Sequence, residues 1–305
     1  MTDALVLGAG GLTGIAWETG LLAGLYDAGI DLTDVTSITG TSAGAVVGAN
    51  LASLDSGRSL EALYKTQIHA LTTGTGEDSL AVPDLSGVRA AFAKFHQTSK
   101  SLHELRAAIG QKALESIAQG GEERRNLIRA WMPHDKWPER DLRILAVNAL
   151  DGHLKIWDRN SEATLLQAVT SSCAIPAVYP MVEIAGGRYM DGGVGSTTNA
   201  SIAEGFELVI VMDPIGDSRG VSRLQGEVEQ LERGGTRTLV IVPDEEAIRA
   251  LGSSPLDPSL CVAAGQAGRK QGRRVSAAVA AAREKIEDAF FDLPRQQRRS
   301  APRYQ

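Results

Sequence analysis

Residues 35–53 read "VTSITGTSAGAVVGANLAS". A short β-branched run, Val35–Thr39, enters a Gly-x-Ser-x-Gly turn at Gly40–Gly44, and small and apolar helix formers follow. A serine between a strand and a helix sits on a tight, strained corner that lifts its hydroxyl clear of the backbone, and small flanking residues let the two elements close on it. The stretch therefore predicts a strand–turn–helix unit of an α/β sheet. It also makes Ser42 a candidate nucleophile.

The same arrangement recurs about thirty residues earlier. "ALVL" at Ala4–Leu7 reads as a buried strand, "GAGGLTG" at Gly8–Gly14 as a glycine turn, and Ile15–Leu25 as the helix behind it. Further strands are expected at Leu142–Asn148, Leu154–Trp157, Leu208–Met212 and Leu239–Val242. Their unbroken Val/Ile/Leu runs indicate strands covered on both faces. Strand and helix in alternation give a mostly parallel α/β sheet. Between residues 55 and 140 the pattern changes to amphipathic helices near Leu60–Leu71 and Leu102–Ile117, around a loop, "TTGTGEDSLAVPDLSG". This segment reads either as a helical insertion beside the sheet or as plain outer-layer helices. A last helix is expected over Val275–Phe290, and the polar, basic composition of 291–305 predicts a disordered tail.

Composition narrows the functions. The chain has 305 residues, 43% hydrophobic and 22% charged, with a net charge of −6. An acidic balance argues against nucleic acid as the main partner, because phosphate backbones require a basic face. No apolar run approaches the roughly 20 residues of a membrane-spanning helix, and the N-terminus carries no secretory pattern. Two cysteines, Cys173 and Cys261, form no metal or redox spacing. The expectation is a cytoplasmic protein without metal or organic cofactor.

A serine needs a base and an oxyanion stabiliser to act. The five histidines, His69, His96, His103, His134 and His153, lack the setting of a triad base; His153 lies beside a hairpin turn, "LDGHL". Asp191 in "GGRYMDGGV" follows a short β run, with its carboxylate free to point outward. It also reads as an Asp-Gly turn residue capping its own loop. The first glycine loop does not fit Gly-x-Gly-x-x-Gly: the required third glycine falls on Thr13, or the middle one on Leu12. Glycine-loop N–H groups at a helix N-terminus hold anions generally, and the oxyanion of an acyl intermediate is one of these.

Together "GAGGLTG", "GTSAG", "SSCAIPAVYPMVEIAGGRYMDGG" and its closing "DGG" resemble the patatin-like phospholipase family, over residues 4 to about 215. The resemblance implies a three-layer α/β/α domain over 1–290 with a helical insertion. It implies a Ser–Asp dyad with Ser42 as nucleophile and Asp191 as base, and an oxyanion hole from the N–H groups of Gly10 and Gly11, with Ala9 a further member. Ala43, after the nucleophile, holds the position that donates in ordinary α/β-hydrolases. The implied activity is hydrolysis of carboxylic esters in phospholipids, lysolipids or neutral lipids through an acyl-serine. The implied partner is a lipid or ester substrate, with the insertion suited to peripheral contact with a lipid surface. An acyltransferase or thioesterase would use the same dyad, and a non-catalytic lipid- or nucleotide-binding regulator would use the same scaffold. Two positions depart from the family pattern: Ala9 replaces the first of three glycines, and Thr13 replaces a Lys or Arg.

Overall fold

Strand β1 (Asp3–Leu7) shows why the run Ala4–Leu7 is apolar without a break. Leu5 and Leu7 enter a core shared with Trp17, Leu21, Val46 and Ala264, while Ala4 and Val6 pack against Val209, Val211, Leu224 and Leu231. Alternate side chains leave a strand on opposite faces, so a strand with helices on both faces is apolar at every position. β7 (Leu208–Met212) divides the same way, with Leu208, Ile210 and Met212 on one face and Val209 and Val211 on the other. The result is a three-layer α/β/α fold. The computed structural model describes residues 2–54, 59–73, 101–115, 120–132, 134–216 and 223–291.

The central sheet has eight strands. β2 (Ser37–Thr41), β3 (Asp141–Asn148) and β8 (Arg237–Ile241) join β1 and β7 in parallel ladders; β4 (Leu154–Trp157), β5 (Val182–Ile184) and β6 (Gly187–Asp191) add antiparallel pairs. Hydrogen-bonded neighbours run β5-β6-β3-β2-β1-β7-β8, with β4 also on β3. The registers fix the geometry that matters. Ile144 and Leu145 of β3 pair with Gly40 and Thr41 on one edge and with Trp157 and Ile156 of β4 on the other. Ala146 pairs with Lys155 of β4 and with Asp191 of β6. Since β4 occupies one edge along this stretch, β2 and β6 share the opposite edge, end to end. Thr41 and Asp191 therefore face consecutive residues of one strand, Leu145 and Ala146.

On one face lie α1 (Gly11–Asp27), α2 (Ala43–Ala52), α3 (Leu60–Thr73) and α9 (Cys261–Phe291). α1 and α9 pack with their backbones nearly touching: a Cβ at Gly268 would come 2.3 Å from the Trp17 carbonyl oxygen. Trp17 is fully buried there and donates its ring N–H to Gln271 Oε1 at 3.0 Å. α7 (Leu224–Arg233) covers part of the other face. α4 (Leu102–Leu114) lays Leu105 and Ile109 against Val147, Met190 and Val194. Among the described residues there are also α5 (Gly121–Trp131), α6 (Leu165–Ser172) and α8 (Glu245–Leu251).

Several expected boundaries move. The strand expected at Val35–Thr39 runs Ser37–Thr41, because its parallel register with Asp141–Leu145 carries it up to the serine. The strand expected at Leu239–Val242 starts at Arg237, set by pairing with Leu208. The helix expected over Val275–Phe290 begins at Cys261. Its glycines, poor helix formers, hide the first half from the sequence and are what allow α1 so close. The helices expected at Leu60 and Leu102 run Leu60–Thr73 and Leu102–Leu114, and the expected end at Ile117 lies outside the described residues. Most of the "TTGTGEDSLAVPDLSG" loop and the tail from 292 lie outside the described residues. Among the described residues no helix is long and apolar enough to cross a membrane.

Candidate active site

Ser42 sits between β2 and α2 with φ 53° and ψ −109°, a conformation that strains any residue carrying a Cβ. Packing imposes it: a Cβ at Gly44 would lie 2.1 Å from the Leu7 carbonyl oxygen, so α2 starts directly against the end of β1. The Gly44 N–H donates to Gly8 O at 2.9 Å, tying the serine turn to the glycine loop. The Ser42 N–H donates to Ser172 Oγ at 2.9 Å, and the Cys173 thiol donates to Ser42 O at 3.3 Å. Both partners come from the end of α6. The sequence reading missed them, although Thr164 and Gln167 form a capping box that marks the start of that helix.

Asp191 ends β6. The Ser42 hydroxyl donates to Asp191 Oδ2 at 2.8 Å, and the Gly193 N–H donates to Oδ1 at 2.7 Å. The Asp191 N–H donates to Ala174 O at 2.9 Å. Asp191 is only 6% exposed. Burial pushes its pKa up to about 6, while the Gly193 N–H, the Ser42 hydroxyl and the Arg124 charge oppose the rise. Arg124 is itself buried, stacked 3.8 Å from the Tyr179 ring centroid, and reaches Cys173 O at 3.5 Å. Burial also pushes the Cys173 thiol up to about 12, which leaves it a poor nucleophile.

The glycine loop leads into α1. Gly11 takes φ 66°. The N–H groups of Gly10, Gly11 and Ala43 have no hydrogen-bond partner among the described residues, whereas Thr13 and Gly14 donate to Pro255 O and Gly10 O. Ala9 departs from its expected part: its N–H donates to Thr197 O at 2.8 Å and is not open to an oxyanion. Ala9 does not need positive φ, so alanine fits where the family pattern has glycine. Thr13 is buried, at 1% exposure, where that pattern has a cation. Beneath the loop, fully buried Glu18 accepts from the Gly8 N–H at 2.9 Å. Burial above all, with the nearby Asp213 charge, raises the Glu18 pKa well above the usual carboxylate range, against the Gly8 N–H, which lowers it.

The described histidines do not join this site. His153 lies on the exposed β3–β4 turn, 3.3 Å from Asp151, with its ring against His103. His69 lies on α3, and His96 lies outside the described residues. Among the described residues no histidine hydrogen-bonds to Ser42. Nor does any group of three or more His, Cys, Asp or Glu side chains there form a metal cluster. A cleft of about 760 Å³ at the end of α2, lined by Ser53, His134, Lys136, Trp137 and Arg140 among others, contains neither Ser42 nor Asp191.

The sequence model for patatin-like phospholipases matches residues 5–204, a span that includes the glycine loop, the serine turn and the aspartate turn. No curated protein matches the chain in sequence. Among solved structures, VipD from Legionella pneumophila is similar at 16% identity over 91% of this chain and 67% of its own, with a TM-score of 0.43. Human GIVD cytosolic phospholipase A2, solved with methyl gamma-linolenyl fluorophosphonate, is similar at 12% identity over 92% of this chain and 58% of its own, with a TM-score of 0.47. The type III effector ExoU is similar at 17% identity over 91% of this chain and 53% of its own, with a TM-score of 0.40. The chain thus spans roughly half to two thirds of the length of these structures. The family match covers most of the chain and every segment that meets at Ser42: this chain belongs to the patatin-like phospholipase family.

Proposed function

We propose that the protein is a serine lipid acyl hydrolase that cleaves carboxylic esters through a Ser42–Asp191 dyad. The observation that carries this reading is the 2.8 Å hydrogen bond from Ser42 Oγ to Asp191 Oδ2, made by a serine on a strained strand–helix turn. Ser42 Oγ attacks the ester carbonyl carbon as its proton passes to Asp191. The oxyanion is received by the N–H groups of Gly10 and Gly11, with the Ala43 N–H in the equivalent position on the second helix. Asp191 returns the proton to the departing alcohol, leaving an acyl-serine. It then takes a proton from the water that attacks this ester, and Ser42 is regenerated.

Asp191 must be ionised to accept a proton, and a carboxyl near 6 is largely ionised at neutral pH yet more basic than an exposed aspartate. The family match supports a lipid ester as substrate, and the proposed classes are phospholipids, lysolipids or neutral lipid esters. A fluorophosphonate probe tests the nucleophile directly. Labelling of wild type at Ser42, abolished in Ser42→Ala, is the expected result. No labelling of folded wild type would sink the reading in favour of a binding role. Labelling without ester hydrolysis would point to transfer to another acceptor.

A further inference from the structure

Residues 194–199 follow the aspartate turn and touch all three pieces of the site. Thr197 O accepts from the Ala9 N–H of the glycine loop at 2.8 Å. Thr198 O accepts from Thr41 Oγ1, next to the nucleophile, at 3.4 Å. Asn199 makes the densest link. Its Nδ2 lies 3.3 Å from Thr41 Oγ1, 3.1 Å from Gly192 O and 3.1 Å from Ser196 O. One carboxamide thereby bridges the residue before Ser42 and the residue after Asp191.

The position asks for asparagine on two grounds. Its φ of 51° and ψ of 37° are left-handed, a conformation asparagine tolerates better than most residues. Its side chain must also donate toward three oxygens and accept on the other side, which aspartate cannot do. The acceptor side is held by Arg106 of α4: Nη2 donates to Asn199 Oδ1 at 2.9 Å and Nε to Val194 O at 3.0 Å. Arg106 is buried, which lowers its pKa to about 10 and still leaves it charged at neutral pH. Glu227 of α7 pins the same segment from the other side, accepting from Ser196 Oγ, Thr198 Oγ1 and the Ala200 N–H at 2.5, 2.7 and 2.8 Å.

We propose that Asn199, oriented by Arg106, is a positioning residue that sets the distance between Ser42 and Asp191. The inference rests on the dyad reading above and extends it: α4, from the helical segment between 55 and 140, is part of the catalytic scaffold. Misplacing a reacting group by about 1 Å can cost on the order of a hundredfold in rate. The test measures the second-order rate of Ser42 labelling by a fluorophosphonate against pH, with thermal midpoints, in wild type, Asn199→Gly, Arg106→Gln, Arg106→Lys and Asp191→Asn.

Asn199→Gly keeps the left-handed backbone and should slow labelling per folded molecule about tenfold or more. Arg106→Gln should do the same, and Arg106→Lys should recover part of the loss. A purely structural role would lower the midpoints and leave the rate per folded molecule unchanged. If a variant does not fold, Thr41→Val removes the same link at its other end and should slow labelling likewise. Folded Asn199→Gly and Arg106→Gln proteins labelling within twofold of wild type, while Asp191→Asn is slow, would overturn this inference alone. Asp191→Asn labelling at the wild-type rate would overturn the dyad, and this inference with it.

Discussion

In the proposed dyad, Asp191 pulls stability and activity in opposite directions. Its folded pKa of about 6 lies above the 3.8 of a free aspartate, so the fold favours the neutral carboxyl. The stability this contributes is complete below about pH 4 and lost as pH rises through about 6. Above that, the buried charge costs about 3 kcal/mol, from about 1.4 kcal/mol per pKa unit. Asp191→Asn should therefore raise the thermal midpoint at pH 8 while removing ester hydrolysis. A midpoint that falls at pH 8 would contradict that assignment of the charge. Ser42 was legible in the sequence from its glycine-framed strand–helix turn, whereas Asp191 reads locally as a turn residue as well and was paired with Ser42 through the family resemblance. Ser172, Arg106 and Asn199 were not legible, because their partners lie up to 158 residues away and only the folded chain brings them together.

Among elements, those with a local cause were read well and those with a tertiary cause were not. Ala4–Leu7 and Leu208–Met212 stand out because both faces are buried, which leaves an unbroken apolar run. β5 is three residues long and went unread, and β6 was read only as a short β run before Asp191; the ladders to β3 and to each other hold both. The α1–α9 contact is the sharpest case, since the glycines that weaken the helical pattern are the ones that make room for it. Gly268→Ala should destabilise the protein by about 1–3 kcal/mol or more, because backbone rather than a movable side chain stands in the way. Urea denaturation measures it. An unchanged midpoint would mean that α1 and α9 separate freely.

For the whole molecule, sheet order and helical layers bring three distant turns to one place. Thr41 and Asp191 face neighbouring residues of β3, and the glycine loop at the end of β1 bonds to the serine turn. The fold class was legible because strand–helix alternation is a global pattern; the sharing of one β3 edge by β2 and β6 depends on register, which composition does not carry. The chain has a net charge of −6, and Thr13 is buried where the family pattern has a cation. Neutral or zwitterionic lipid esters should accordingly be cleaved faster than anionic phospholipids of equal chain length. Hydrolysis in detergent micelles of matched composition checks this, and a clear preference for the anionic lipids would contradict it.

The dyad is tested most directly by the pH profile of kcat/KM for a p-nitrophenyl ester in wild type, Ser42→Ala and Asp191→Asn. Wild-type activity should rise through pH about 6 as Asp191 ionises. Both folded variants should lose on the order of a hundredfold or more at pH 7.5. Asp191→Asn working at the wild-type rate, with the same acid limb, would show that another group takes the proton from Ser42.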